Sequence, residues 1–278
     1  MTVGIVGLGL IGGSLARTIR LHTDDTVLGT DTNALTMRQA FLMEAIHGEL
    51  NDETLPQCDI LLVALYPSAI VSWVESHREQ IAHKTVVIDC GGVKQTVVGR
   101  LQQVAAENGF TYIGGHPMAG REVSGFRYAR DDLFDHASMI LTPRQGEDLH
   151  TLQRVRDFFM DLGFRRVCFS TPEEHDEMIA FTSQLAHVVS SAYVKCPLAG
   201  KHKGFSAGSF ADMTRVAKLN SDMWTELFFD NREALLREVS GMVDRLTEYR
   251  DALRDDDHER MHALLEEGRK IKESLEEP

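Results

Sequence analysis

The chain has 278 residues, 43% of them hydrophobic and 26% charged, with a formal net charge of −13. That length accommodates two domains and a substantial core, whereas the acidic balance disfavours nucleic acid and anionic membrane as partners, since both are bound through basic patches. No stretch approaches the ~20 uninterrupted apolar residues of a membrane span, and MTVGIVGLGL enters a strand with no basic region or cleavage site, so the expectation is a cytoplasmic protein.

Along the first half, short apolar runs rich in Val and Ile alternate with helical patterns. The runs are TVGIVG, TVLGTD, DILLVAL, TVVIDC, FTYIGG, SMILTP and RVCFS, and the helix-period stretches are 13–21, 33–46, 68–80, 95–107 and 147–162. This β-α alternation predicts an α/β fold, a doubly wound and mainly parallel sheet covered by helices on both faces. The first strand runs into GLGLIGGSLA, a G-x-G-x-x-G at Gly7, Gly9 and Gly12 that opens a helix. In that setting the first glycine permits a tight turn, the second lets a pyrophosphate approach the backbone, and the third lets helix and strand pack closely. The N–H groups of the first helical turn, at Leu10, Ile11 and Gly12, then face the phosphates. Asp31 ends the second run 19 positions after Gly12, where a carboxylate accepts from the ribose hydroxyls and repels a 2′-phosphate, which selects NAD over NADP. A helix cap for the segment near Asn33 is the other reading of Asp31.

Cys58, Cys90, Cys168 and Cys196 lie far apart without a C-x-x-C pair, which predicts reduced thiols and neither a disulfide framework nor a metal site. Residues 114–120 read GGHPMAG, which holds His116 between glycines and a proline that forces it extended. Such a histidine is presented at a defined angle, to a ligand or simply at a strand-to-loop turn.

After Ser170 the pattern turns helical. Thr171-Pro172-Glu173-Glu174 is a capping box, and CPLAGKHKGFSAG is the main break that follows. The expected division is a dinucleotide-binding domain over 1–170 and a helical domain over 171–278. The helices VVSSAYV, DMWTELFF and LLREVSGMVDRL carry more apolar surface than about 100 residues can hide alone, which predicts a homodimer through this half.

Taken in order, GLGLIGGSLA, IDCGGVK, GGHPMAG, HDEMIAFTSQLAH and GSFADMTRVAKLNSDMW resemble the prephenate and arogenate dehydrogenases of tyrosine biosynthesis, and the resemblance spans the chain. It implies a Rossmann-type domain joined to a helical substrate-binding and dimerisation domain. The implied reaction is an NAD-dependent oxidative decarboxylation: hydride leaves the hydroxyl-bearing ring carbon, the hydroxyl loses its proton, and CO2 departs as the ring becomes aromatic. His116 matches the histidine that draws off that proton. Ser183 and His187 match positions lining the substrate pocket, with His175 expected on the same helix face. Arg215 matches the residue that takes a substrate carboxylate, with Asp212 orienting or gating it; an intrahelical Asp212–Arg215 pair is the plainer alternative. Trp224 also matches a family position.

The chain departs from the family at Cys90-Gly91-Gly92-Val93-Lys94, where many members have G-S-V-K: Gly91 is kept for the cofactor, but the serine that helps position the histidine is Gly92 here. Lys94 is expected near the ligands or on the solvent side of the next helix. Arg121 mildly favours prephenate over the ammonium-bearing arogenate. Two rivals remain, a β-hydroxyacid dehydrogenase using Lys195, Lys201 or Lys203, and a noncatalytic NAD-binding protein.

Overall fold

A computed structural model describes residues 1–276; the last two residues, with which the expected helical domain ends, lie outside the described ones. By compactness the chain forms two units, Met1–Asn231 and a second beginning at Arg232.

The first unit alternates strands and helices as β1 (Thr2–Val6), α1 (Leu10–His22), β2 (Thr26–Thr30), α2 (Ala34–Leu42), β3 (Gly48–Glu49), β4 (Ile60–Val63), α3 (Pro67–His77), β5 (Val86–Asp89), α4 (Gln95–Asn108), β6 (Thr111–Pro117), β7 (Ser138–Thr142), α5 (Leu149–Asp161) and β8 (Arg166–Phe169). It continues with α6 (Pro172–Ile179), a π-helical turn at Ala180–Gln184, α7 (Leu185–Val194), α8 (Gly208–Thr214) and α9 (Ser221–Asp230). The second unit consists of α10 (Arg232–Arg254) and α11 (His258–Ser274). No described helix is long and apolar enough to cross a membrane.

All seven apolar runs form strands, in one sheet of order β3-β2-β1-β4-β5-β6-β7-β8. Every neighbouring pair is parallel except β6 and β7. β3, only two residues long, falls in no apolar run and was not anticipated. The side-chain period of two explains the continuous hydrophobicity of the central strands. Val3, Ile5, Ile60, Leu62, Val86 and Ile88 join the core on one face, and Val6, Leu61, Val63 and Val87 join the core on the other.

The chain leaves β1 in one direction for β2 and β3 and returns across it to β4. The crevice beyond the carboxyl ends of β1 and β4 is therefore the switch point at which open sheets of this type bind ligands. Helix α2 is shorter than its pattern predicts: it stops at Leu42, Glu44 turns to φ 52°, and Ala45 and Ile46 drop into the core. The box at Thr171 forms as expected, with the Thr171 hydroxyl accepting from Glu174 N–H and the Glu174 carboxylate accepting from Thr171 N–H. Tyr193, Phe205, Phe229, Leu236, Val243 and Leu246 remain largely exposed.

Candidate active site

The glycine turn takes its shape from steric necessity. Gly7 sits at φ +83° with its N–H given to Thr30 O, and a side chain there would lie 2.6 Å from the Ala64 carbonyl oxygen. A Cβ on Gly12 would collide with the Gly7 carbonyl. Gly9 differs, because a Cβ there would meet nothing within 4 Å; that space is open to a ligand. No side chain caps α1, so the N–H groups of Leu10 and Ile11 are left for an anion.

Asp31 binds the turn together rather than capping α2: Oδ2 accepts from Leu8 N–H at 2.9 Å and Oδ1 from Asn33 N–H at 2.8 Å, while Asn33 itself caps the helix. An uncapped helix start, an open face at Gly9 and a carboxylate at the end of β2 are the features a dinucleotide requires. Gly91, assigned to the cofactor from sequence, is buried and gives its N–H to Asp89 Oδ2 at 2.9 Å. At Gly92 the place of the family serine is covered by Leu227 of α9, whose Cδ2 lies 3.1 Å from where a Cβ would be.

His116 is the next-to-last residue of β6, half-buried and paired in register with Ile140 of β7. Its Nδ1 lies 2.9 Å from Nε2 of His175, and Nδ1 of His175 lies 2.6 Å from Oδ1 of Asp176. The Asp176 carboxylate also accepts the N–H groups of Lys94 at 2.8 Å and Gln95 at 2.9 Å, so it caps α4 from a different helix. An ionised Asp176 only accepts, so His175 carries its proton on Nδ1; its Nε2 must then accept from His116 Nδ1–H. The remaining ring nitrogen, Nε2 of His116, is left with a lone pair. Burial first, then His175 and Lys94, hold the His116 ring well below the ordinary imidazole range. A neutral ring with a free Nε2 is a proton acceptor at neutral pH.

His175, expected on the pocket wall beside Ser183 and His187, therefore lies behind His116, with only 2% of its surface exposed. The helix register explains how one segment supplies all three. A regular α-helix turns about 100° per residue, which would leave His187 about 120° around the axis from His175. The π-turn at Ala180–Gln184 absorbs one extra residue and brings that offset back to about 20°.

His187 stacks on Trp224 at 3.7 Å between ring centroids and donates from Nδ1 to the Ser183 carbonyl at 2.9 Å. Burial lowers its pKa; the Ser183 carbonyl and Glu122 act against that, and Arg215 adds to it. Arg215 Nη1 bonds Glu122 Oε1 at 2.5 Å, and the Asp212–Arg215 pair read from their spacing is not formed among the described residues. Glu122, Asp176 and Leu227 were not singled out from the sequence; only Asp176, next to His175, carried a local hint. Lys94 is not on the solvent side of α4, for its side chain is fully buried against Asp89. Burial and Asp89 push the Cys90 thiol up to about 12, so it is no nucleophile at neutral pH. Lys195, Lys201 and Lys203 are exposed.

Residues 15–168 match the family model described as the nucleotide-binding domain of prephenate dehydrogenase, and residues 171–267 match its dimerization domain. The prephenate dehydrogenase of Bacillus subtilis (strain 168) is 26% identical over 283 residues, covering 99% of this chain and 76% of that protein. The cyclohexadienyl dehydrogenase of Zymomonas mobilis is 25% identical, covering 98% and 95%. The crystal structure of prephenate dehydrogenase from A. aeolicus in complex with hydroxyphenyl propionate and NAD+ superposes with a TM-score of 0.84 at 26% identity, over 99% of this chain and 98% of that one. With both family models matched in order across most of its length, this chain belongs to the prephenate dehydrogenase family.

Proposed function

We propose that the protein converts prephenate to 4-hydroxyphenylpyruvate by NAD-dependent oxidative decarboxylation. The observation that carries this reading is the buried chain from His116 through His175 to Asp176, which leaves one unprotonated nitrogen at the end of β6. NAD held at the glycine turn would supply the acceptor for the hydride that leaves the hydroxyl-bearing ring carbon, as the ring carboxylate departs as CO2. His116 Nε2 takes the hydroxyl proton. The resulting imidazolium keeps its Nδ1–H directed at His175 Nε2, and His175 keeps its own proton on Nδ1, hydrogen-bonded to the Asp176 carboxylate, so the developing charge is backed by a fixed anion.

Arg215 exchanges Glu122 for a substrate carboxylate, using the planar fork suited to that group. Ser183, His187 and Trp224 form the wall around the ring and side chain. Asp31 favours NAD over NADP through repulsion of a 2′-phosphate. The functional boundary lies near residue 170, and the exposed apolar side chains of residues 171–278 associate two copies into a homodimer. The spaced, unpaired cysteines fit a cytoplasmic setting.

Arogenate is the second substrate reading. Arg121 argues against its ammonium group, whereas Glu122, which acts on both His187 and Arg215, argues for it. Incubating the enzyme with prephenate or arogenate and with NAD or NADP, while following absorbance of the reduced nicotinamide, tests both choices. Turnover of arogenate alone would overturn the preference for prephenate.

A further inference from the structure

We propose that Lys94 and Asp89 form a buried clamp that positions His116 for proton abstraction; this rests on the reading of His116 as the base. Lys94 reaches both ends of the hydrogen-bonded chain. Its backbone N–H donates to Asp176 Oδ1 at 2.8 Å, and its Nζ donates at 2.6 Å to the carbonyl oxygen of Gly115, which belongs to the peptide bond entering His116. Its counter-ion Asp89 accepts the Gly115 N–H at 3.1 Å, the Gly91 N–H at 2.9 Å and the Tyr112 hydroxyl at 2.7 Å. One ion pair thus holds both polar backbone groups of the residue before His116.

Neither member of the pair exposes any side-chain surface. Removing two charges from water is costly, and apolar residues of similar volume often serve stability equally well, so packing alone gives no reason for a lysine here. Only a glycine lets the strand approach the clamp this closely: a Cβ on Gly115 would lie 2.5 Å from the Asp89 carbonyl oxygen, so β6 is packed tightly against the end of β5.

The arrangement also places charge behind the ring. The titratable groups that face His116 are His175 from α6 and Lys94 from the start of α4. Asp176 stands behind the first and Asp89 behind the second. Loss of the cation favours a protonated His116, and loss of its counter-ion disfavours one, so the two single variants pull in opposite directions.

The test compares pH profiles of kcat/KM, and NMR titration of the His116 ring, for the wild type, Lys94→Met, Asp89→Asn and His116→Asn. The acid limb and the ring midpoint are expected to move to higher pH in Lys94→Met and to lower pH in Asp89→Asn, each by about one unit. In both variants kcat falls at least about tenfold, and KM for NAD stays within about twofold. The uncharged double variant Asp89→Asn/Lys94→Met controls for folding; it is expected to keep a thermal midpoint near that of the wild type while kcat stays low. Midpoints that do not move, or that move in the same direction, overturn the clamp. Full turnover by His116→Asn overturns instead the reading of His116 as the base, whatever the midpoints do.

Discussion

Nε2 of His175 lies 2.9 Å from Nδ1 of His116, and this contact determines which nitrogen of His116 can take a proton. Because Asp176 accepts the Nδ1 proton of His175, the tautomer of each ring follows from the carboxylate behind it. His116 is oriented by His175 rather than by a serine, for position 92 is a glycine that lies under Leu227.

Replacement of Asp176 by Asn is therefore expected to lower kcat by about 10²-fold, since an amide no longer imposes the same tautomers. Dissociation constants for NAD should stay within about threefold of the wild type. A change confined to KM would show that the chain of rings does not serve the chemical step.

Gly9 and Gly12 separate binding from folding. Alanine at Gly9 points into open space, so the thermal midpoint should be unchanged while NAD binds at least about tenfold more weakly. Alanine at Gly12 meets the Gly7 carbonyl, and should cost about 1–3 kcal/mol of stability in chemical denaturation. Normal NAD affinity in Gly9→Ala would argue that the cofactor does not lie over this turn.

Arg215→Ala should raise KM for the substrate by about 10²-fold and leave that for NAD nearly constant, in keeping with loss of a charge-assisted pair. Arg215→Lys should recover little of this, because an ammonium lacks the two-pronged geometry. Full recovery by lysine would mean that charge alone suffices at this position.

A pH effect on stability follows from the histidines. His116 and His187 both titrate below the ordinary value of 6.5 in the folded chain, burial being the main cause. The unfolded chain therefore binds more protons below that value. The stability these groups support is whole above about pH 6.5 and is lost as pH falls from there toward the folded values, by at most about 1.4 kcal/mol per pH unit for each ring. Urea midpoints at pH 7.5 and 5.5 measure this, and His116→Asn should flatten the decline. Equal midpoints for the wild type at both pH values would contradict it.

Deletion of Thr182 removes the extra residue, so the segment from Pro172 to Val194 should run as one regular α-helix in which the offset between His175 and His187 stays near about 20°, with helical content by circular dichroism and turnover both close to those of the wild type. Loss of turnover in a deletion variant that keeps its helical content would show that the π-turn itself, and not only the offset of about 20°, is required.

Several features of the protein were written in local pattern. The seven strands, the turn from Gly7 to Gly12, the place of Asp31 at the end of β2, the box at Thr171 and the place of His116 near a strand end all follow from periodicity and backbone preference over a few residues. Such preferences act through neighbouring dihedral angles and through which face of an element is apolar, and they need no knowledge of distant partners. The partners themselves were decided by tertiary structure. The sequence could not show that His175 supports His116, that Arg215 chooses Glu122 over Asp212, that Leu227 fills the space at Gly92, or that Lys94 is drawn into the interior by Asp89. Each of these depends on packing between elements far apart in the chain, and on a helical twist altered by a single extra residue, where a small change in register selects a different neighbour.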